Sequence, residues 1–219
     1  MDKPVRKVRS NGRTIVGLVS SNKNTSVQFE SSLEENFLYL LSFDKEVKKC
    51  DSQPTRISYI DSNGKDRTYV PDYLVEYLGR PSILFEVKTR EWIKHNLSVH
   101  KMNNEAAKQF AAEKNWEFRV ITDKQLRTEF VNNVRRLFRY QDYPIDRERE
   151  DFIRASLRNK GMPIEELVRK AKDKELLTLA TVWAMLFDKK LSANLLKPLT
   201  MKTRVTLCND PRKIKCPYL

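Results

Sequence analysis

Two short apolar runs constrain this chain more than any other part of it: Tyr69-Val70-Pro71-Asp72-Tyr73-Leu74-Val75 and Ile83-Leu84-Phe85-Glu86-Val87-Lys88. Both are rich in Val, Leu, Ile and aromatic residues. Gly79-Arg80-Pro81-Ser82 between them is a turn or loop signal, so the runs read as short buried strands lying side by side. Side chains two apart on a strand share a face. Glu86 and Lys88 therefore project together while Val87 enters the opposite, apolar layer, and Asp72 brings a second carboxylate from the neighbouring strand.

Two carboxylates beside one ammonium suit metal-dependent phosphodiester cleavage. Mg²⁺ takes hard oxygen ligands, usually one or two carboxylates from the protein, and leaves its other positions to water and phosphate. Asp72 and Glu86 are the candidates to hold such an ion, which would acidify water and offset charge developing on phosphoryl oxygens. Lys88 can orient the water or face the transition-state charge. A Pro-Asp pair at a turn and a Glu-x-Lys on an exposed strand are also common surface features, so the surroundings decide the matter.

A third carboxylate lies upstream. From Ser31 to Phe43 the apolar residues at 33, 37, 40, 41 and 43 fall close to helical spacing, with Ser31 or Ser32 available as N-cap. Glu34 and Phe37 are three apart, which puts the carboxylate beside the buried stripe. Glu34 either completes a metal site or is a partner for the helix N-terminus.

Ser32-Leu33-Glu34, Gln53-Pro54, Tyr69-Val70-Pro71-Asp72 and Phe85-Glu86-Val87-Lys88, in that order, resemble the PD-(D/E)xK restriction-endonuclease-like fold in the form used by TnsA-type endonuclease subunits of heteromeric cut-and-paste transposases. The resemblance covers about residues 1 to 140 well and the remainder loosely. It implies that Glu34, Asp72, Glu86 and Lys88 are catalytic, that Asp72, Glu86 and Glu34 hold Mg²⁺ with Mn²⁺ able to substitute, and that Gln53 supports the site. Some members of the family carry Gln where this chain has Glu86. Glu35 competes with Glu34 for its position, and only the alignment of Ser32-Leu33-Glu34 favours Glu34. The resemblance further implies cutting of the 5′, non-transferred strand at transposon ends, with double-stranded DNA, a DDE-type transposase subunit (TnsB-like) and an AAA+ ATPase regulator (TnsC-like) as partners. A stand-alone restriction, repair or junction-resolving nuclease, and a non-catalytic DNA-binding adaptor, are the competing functions.

The net charge of +13 over 219 residues points independently to an anionic partner. Of that excess, +7 comes from Pro144 onwards and +6 from the residues before it, so both parts are expected to touch DNA. The densest cluster is the amino-terminal arm with Lys3, Arg6, Lys7, Arg9 and Arg13, suited to tracking phosphates or simply to standing solvated. No apolar run is long enough to span a membrane. Cys50, Cys208 and Cys216 form no Cys-x-x-Cys pair and no disulfide framework, which fits a reducing cytoplasm, and no secretory leader is seen; the family resemblance implies a bacterial, DNA-associated protein. His95 and His100 lack companions for a zinc site, so a metal should be held by oxygen.

The expected fold is α/β: a restriction-endonuclease-like mixed sheet flanked by helices over residues 1–143, then a small, mainly helical, winged-helix-like domain over 144–219. The spacing predicts strands at Ile15 to Val19, near Arg56 to Ile60 and from Trp116 to Asp123, with a turn at Ser62-Asn63-Gly64 and helices at Lys101 to Asn115 and Lys124 to Tyr140. Thr89 to His100 is either helix or loop. Arg135, Arg136 and Arg139 in the last turns of the second helix either complement its C-terminus or contact phosphate. Beyond a break at Gln141-Asp142-Tyr143-Pro144, helices are predicted at Arg147 to Leu157, Pro163 to Ala171 and Lys174 to Phe187, with Trp183 and Met185 in the core. Leu191 to Leu196 and Thr203 to Leu207 are expected to pair as a wing, and three helices with a two-stranded wing suggest a winged-helix module, a common DNA reader.

Overall fold

The computed structural model describes residues 13–16, 26–158, 160–172, 175–211, 214 and 216–219. By contacts the chain divides into two compact units, Met1–Arg127 and Thr128–Leu219. The first unit opens with an antiparallel pair, β1 (Arg13–Val16) and β2 (Ser26–Phe29), followed by helix α1 (Ser32–Phe43). Ser31 caps α1 by accepting the Glu34 N–H at 3.2 Å, and the helix buries Leu33, Phe37, Leu38, Leu40, Leu41 and Phe43.

Five strands follow: β3 (Val47–Ser52), β4 (Ile57–Ile60), β5 (Asp66–Tyr69), β6 (Tyr73–Tyr77) and β7 (Ile83–Lys88). The chain then forms α2 (Arg90–His95), α3 (Leu97–Glu113), β8 (Glu117–Thr122) and the short α4 (Asp123–Leu126). The central sheet runs β3-β6-β7-β8, antiparallel through β7 and parallel between β7 and β8, while β4 and β5 form a separate hairpin. This is the expected mixed α/β sheet flanked by helices.

Several local expectations need correction. The run from Tyr69 to Val75 is not one strand: Tyr69 ends β5 in the hairpin and Tyr73 begins β6 in the central sheet, with Val70, Pro71 and Asp72 between. Pro71 lacks an N–H to continue a ladder, so the chain changes sheets there. Of the two alternatives left open for Thr89 to His100, helix is the one found, as α2 and the start of α3 on either side of Asn96, with the Thr89 hydroxyl accepting the Trp92 N–H at 3.1 Å. The predicted helix from Lys124 to Tyr140 breaks in two, because Thr122 caps α4 with a reciprocal Gln125 bond and Thr128 caps a new helix, α5 (Glu129–Phe138). Strand β3 was not foreseen, since its exposed Lys48 and Lys49 obscure the buried Val47 and Cys50. Residues 17–19 of the strand expected at Ile15 to Val19 lie outside the described residues.

Pairing fixes which side chains share a face. Tyr73 lies opposite Phe85, and both rings meet Phe37 of α1, with centroids 5.4 and 4.9 Å away. Leu74 lies opposite Leu84 on the other face, where both pack with Ala107 of α3, Ile57 and Tyr69. Two apolar layers thus sandwich the sheet, and Glu86 and Lys88 alternate onto the α3 side.

The second unit contains α5, α6 (Arg147–Leu157), β9 (Met162–Pro163), α7 (Ile164–Lys170), α8 (Glu175–Phe187), β10 (Leu191–Ser192) and β11 (Arg204–Leu207). Its sheet runs β10-β11-β9, antiparallel throughout. The division at Arg127 places α5 in this unit, whereas sequence reading set the break at Pro144. Two contacts account for that: Phe138 packs edge-on to Phe187 at 6.0 Å, and buried Asn133 donates to the Leu195 and Lys197 carbonyls while accepting the Leu199 N–H. Met185 is fully buried as expected, but Trp183 is only partly covered.

Candidate active site

Asp72 occupies the link immediately before β6, and its position is set by backbone. Its N–H donates to the Phe85 carbonyl at 3.1 Å, its carbonyl accepts the Gln53 N–H at 2.7 Å, and its Oδ2 accepts the Val87 N–H at 2.7 Å. The aspartate is therefore pinned across the end of β7. Lys88 Nζ lies 3.1 Å from Asp72 Oδ2 and 2.8 Å from Glu86 Oε1, so one ammonium bridges both carboxylates. The second Glu86 oxygen, Oε2, accepts the Tyr69 hydroxyl.

Burial governs the electrostatics here. Burial first, then the Glu86 charge, push the Asp72 carboxyl up to about 6 against the Lys88 ammonium and the Val87 N–H. Burial would lower Lys88, but Asp72 and Glu86 more than reverse that and hold it above the ordinary lysine range. Trp92 of α2 adds a ring 5.8 Å from the Lys88 ammonium and meets buried His100 edge-on. Neither histidine joins a metal cluster: His95 Nδ1 sits on the Glu91 carbonyl and His100 Nε2 on the Asn104 side chain. Arg90, at the start of α2, clamps Asp123 through its backbone N–H at 2.7 Å and its guanidinium at 3.0 Å, tying the chain after β7 to the end of β8.

Glu34 is placed differently. Its Oε1 accepts the Ser31 hydroxyl at 2.8 Å, and its Oε2 accepts the Glu30 N–H at 3.0 Å and the Tyr73 hydroxyl at 3.1 Å. Tyr73 lies on the α1 face and Glu86 on the α3 face, so Glu34 and Glu86 approach Asp72 from opposite sides of the sheet end. A small pocket lined by Glu30, Glu34, Gln53, Asp72 and Tyr73 joins Glu34 to Asp72. Burial, and in smaller part the Asp72 charge, raise the Glu34 carboxyl against the Glu30 N–H. Glu35 instead accepts the Tyr39 hydroxyl at 3.1 Å. Gln53 adopts a left-handed backbone at φ 47°, bonds Glu30 through Nε2, and leaves its buried Oε1 without a donor among the described residues.

Among the described residues no group of three or more His, Cys, Asp or Glu side chains is disposed to hold a metal ion. The donor set nevertheless fits a hard divalent cation bound through two carboxylates rather than in a full protein cage. Asp72 and Glu86 are like charges drawn into one buried site with a single ammonium between them, an arrangement that further positive charge would stabilise.

Of the expected DNA-contacting residues, Lys3, Arg6, Lys7 and Arg9 lie outside the described residues, and the side chain of Arg13 is likewise not described. Arg135, Arg136 and Arg139 are exposed on α5, and Arg136 donates to the Leu199 carbonyl at 3.2 Å. Sequence reasoning gave Tyr69 and Tyr73 no part in the site and saw Trp92 only as an anchor of the Thr89 to His100 stretch. Two of these were in plain view beside Pro71-Asp72, but no spacing rule shows that a phenol in one sheet will reach a carboxylate in another.

A mixed sheet flanked by helices, with an aspartate at a strand end and a Glu-x-Lys on the adjacent strand, is consistent with a restriction-endonuclease-like fold. Residues 44–123 match the family described as TnsA-like endonuclease N terminal, and the chain carries this TnsA-type endonuclease domain, a nuclease domain related to transposition. The match spans β3 through β8, with Gln53, Asp72, Glu86 and Lys88, and does not include α1 or Glu34. The comparison with curated proteins gave no match. No described helix is long and apolar enough to cross a membrane.

Proposed function

We propose that this chain is the endonuclease subunit of a cut-and-paste transposase and hydrolyses the 5′, non-transferred strand at transposon ends. The observation that carries this proposal is the convergence of Asp72, Glu86 and Lys88 at the end of the central sheet. Asp72 and Glu86 would hold Mg²⁺, with Mn²⁺ as substitute, and Glu34 would serve through the shared pocket as an additional ligand or as a water-positioning group. The ion, when bound, would activate water and neutralise phosphoryl charge.

The protein's own groups have separable tasks. The Val87 N–H and the Phe85 and Gln53 backbone hold Asp72 so that little reorganisation is needed when DNA arrives. Lys88 keeps its proton and presents fixed positive charge to the scissile phosphate, which fits an electrostatic role better than that of a general base. Water enters as nucleophile, the phosphorus–O3′ bond breaks, and the products carry 5′ phosphate and 3′ hydroxyl.

The second unit would read or grip DNA. Its order of helix, strand, helix, helix, strand, strand from α6 to β11, with β11 central, supports a winged-helix-like module. Exposed Arg135 and Arg139 on α5 and the basic amino-terminal arm are the proposed phosphate contacts. A DDE-type transposase cutting the other strand and an AAA+ ATPase regulator are the proposed partners.

Strand-resolved cleavage of end-labelled transposon-end DNA with Mg²⁺ tests the proposal, using wild type and Asp72→Ala, each alone and with the partners. Partner-dependent cutting of the 5′ strand should disappear in the variant while DNA binding persists. Equal cutting by both proteins would overturn the site assignment. Vigorous cutting by the wild type alone would instead indicate an independent nuclease, and none under any condition a DNA-binding adaptor.

A further inference from the structure

Tyr69 belongs to the β4–β5 hairpin, outside the sheet that carries the site, yet its hydroxyl reaches Glu86. The ring cannot move freely. It is held opposite Ile57 in the hairpin ladder and packs with Leu74, Leu84 and Ala107 in the core between sheet and α3. Glu86 is 4% exposed, so solvent contributes little to holding its carboxylate. Among the described residues two groups define its orientation: Lys88 on Oε1 and Tyr69 on Oε2.

These partners differ in kind. Lys88 also bridges to Asp72, and its flexible side chain can shift when another cation approaches the carboxylates. A phenol set in a packed core has no such freedom, and a neutral donor does not compete with a cation for the site. We propose that Tyr69 is a positioning residue: by fixing Glu86 Oε2 it presents Oε1 toward Asp72, preorganising the carboxylate pair for a divalent cation. The β4–β5 hairpin thereby acquires a task in the chemistry, as the support that sets one ligand. The inference rests on Asp72 and Glu86 being the cation-binding carboxylates.

The test is Mn²⁺ binding to the full chain by isothermal titration calorimetry, with thermal unfolding of each protein recorded alongside. Tyr69→Phe keeps the ring and removes only the hydroxyl, and it should weaken Mn²⁺ binding roughly 10-fold or more, in the range found when outer-shell partners of metal ligands are removed. Tyr77→Phe is the matched control, since Tyr77 is similarly buried, lies on β6, and has a hydroxyl without a hydrogen-bond partner among the described residues. It should leave Mn²⁺ binding unchanged. In a Glu86→Ala background, which leaves the Tyr69 hydroxyl no carboxylate to orient, Tyr69→Phe should add nothing further to the loss of Mn²⁺ binding, whereas a merely structural effect would add in full.

The two levels of failure separate. If wild type binds Mn²⁺, Asp72→Ala abolishes binding, and Tyr69→Phe binds as tightly as wild type, the positioning role falls and the nuclease site stands. If Asp72→Ala binds Mn²⁺ as wild type does, or wild type binds none, the cation site falls and the positioning role with it. Additive effects of Tyr69→Phe and Glu86→Ala would likewise overturn the role.

Discussion

At the scale of single residues, burial sets the electrostatics of the cluster that Asp72, Glu86 and Lys88 form. Asp72 retains a proton in the folded protein at pH values where the unfolded chain has released it, because burial and Glu86 push its carboxyl up to about 6. Stability owed to this group is therefore present in acid and lost as pH rises from the ordinary aspartate range through about 6. Asp72→Asn removes that dependence and preserves an acceptor for the Val87 N–H. In EDTA, denaturant unfolding should show the variant gaining on wild type by about 3 kcal/mol between acid and neutral pH. A gap that does not change with pH would contradict this account of Asp72. Divalent cation should raise the wild-type Tm more at pH 7.5 than at pH 5, since the carboxylates must be ionised to bind it, and equal shifts would point to binding elsewhere.

At the scale of elements, the strands and helices most legible in the sequence were those with a strong local signal. The β7 run, the β6–β7 turn with Gly79 at φ 74°, and α6 over Arg147–Leu157 all fall where pattern and punctuation put them. The misread elements are those in which a local signal competed with a long-range one. Tyr69 to Val75 reads as one apolar strand, yet Pro71 divides it between two sheets, and that division sends Tyr69 to the α3 face and Tyr73 to the α1 face. A second element-level constraint is Gly161, just before β9. A Cβ there would collide with the Val205 carbonyl oxygen and the Thr206 methyl of β11. Gly161→Ala should cost about 1–3 kcal/mol by forcing the short β9–β11 pairing apart. Thermal unfolding checks this, and a loss below a few tenths of a kcal/mol would show that the pairing yields easily.

At the scale of the whole molecule, two units carry separate cores, and α5 decides where one ends. If Asn133, Leu137 and Phe138 are integral to the second core, a fragment of residues 128–219 should unfold cooperatively on heating, while 144–219 should be markedly less stable. Equal stability would restore the boundary at Pro144. By itself the sequence determined the α/β class, the strand alternation that puts Glu86 beside Lys88, the presence of Asp72 nearby, and the positive charge that calls for an anionic partner, because these depend on local periodicity and composition. Only the tertiary structure decided that Glu34 meets Asp72 from the opposite face to Glu86, that α5 joins the second unit, and that Tyr69 reaches across from the hairpin to Glu86. Each of these depends on which distant segments pack together, and pairing between segments far apart in the chain leaves no periodic trace within either one.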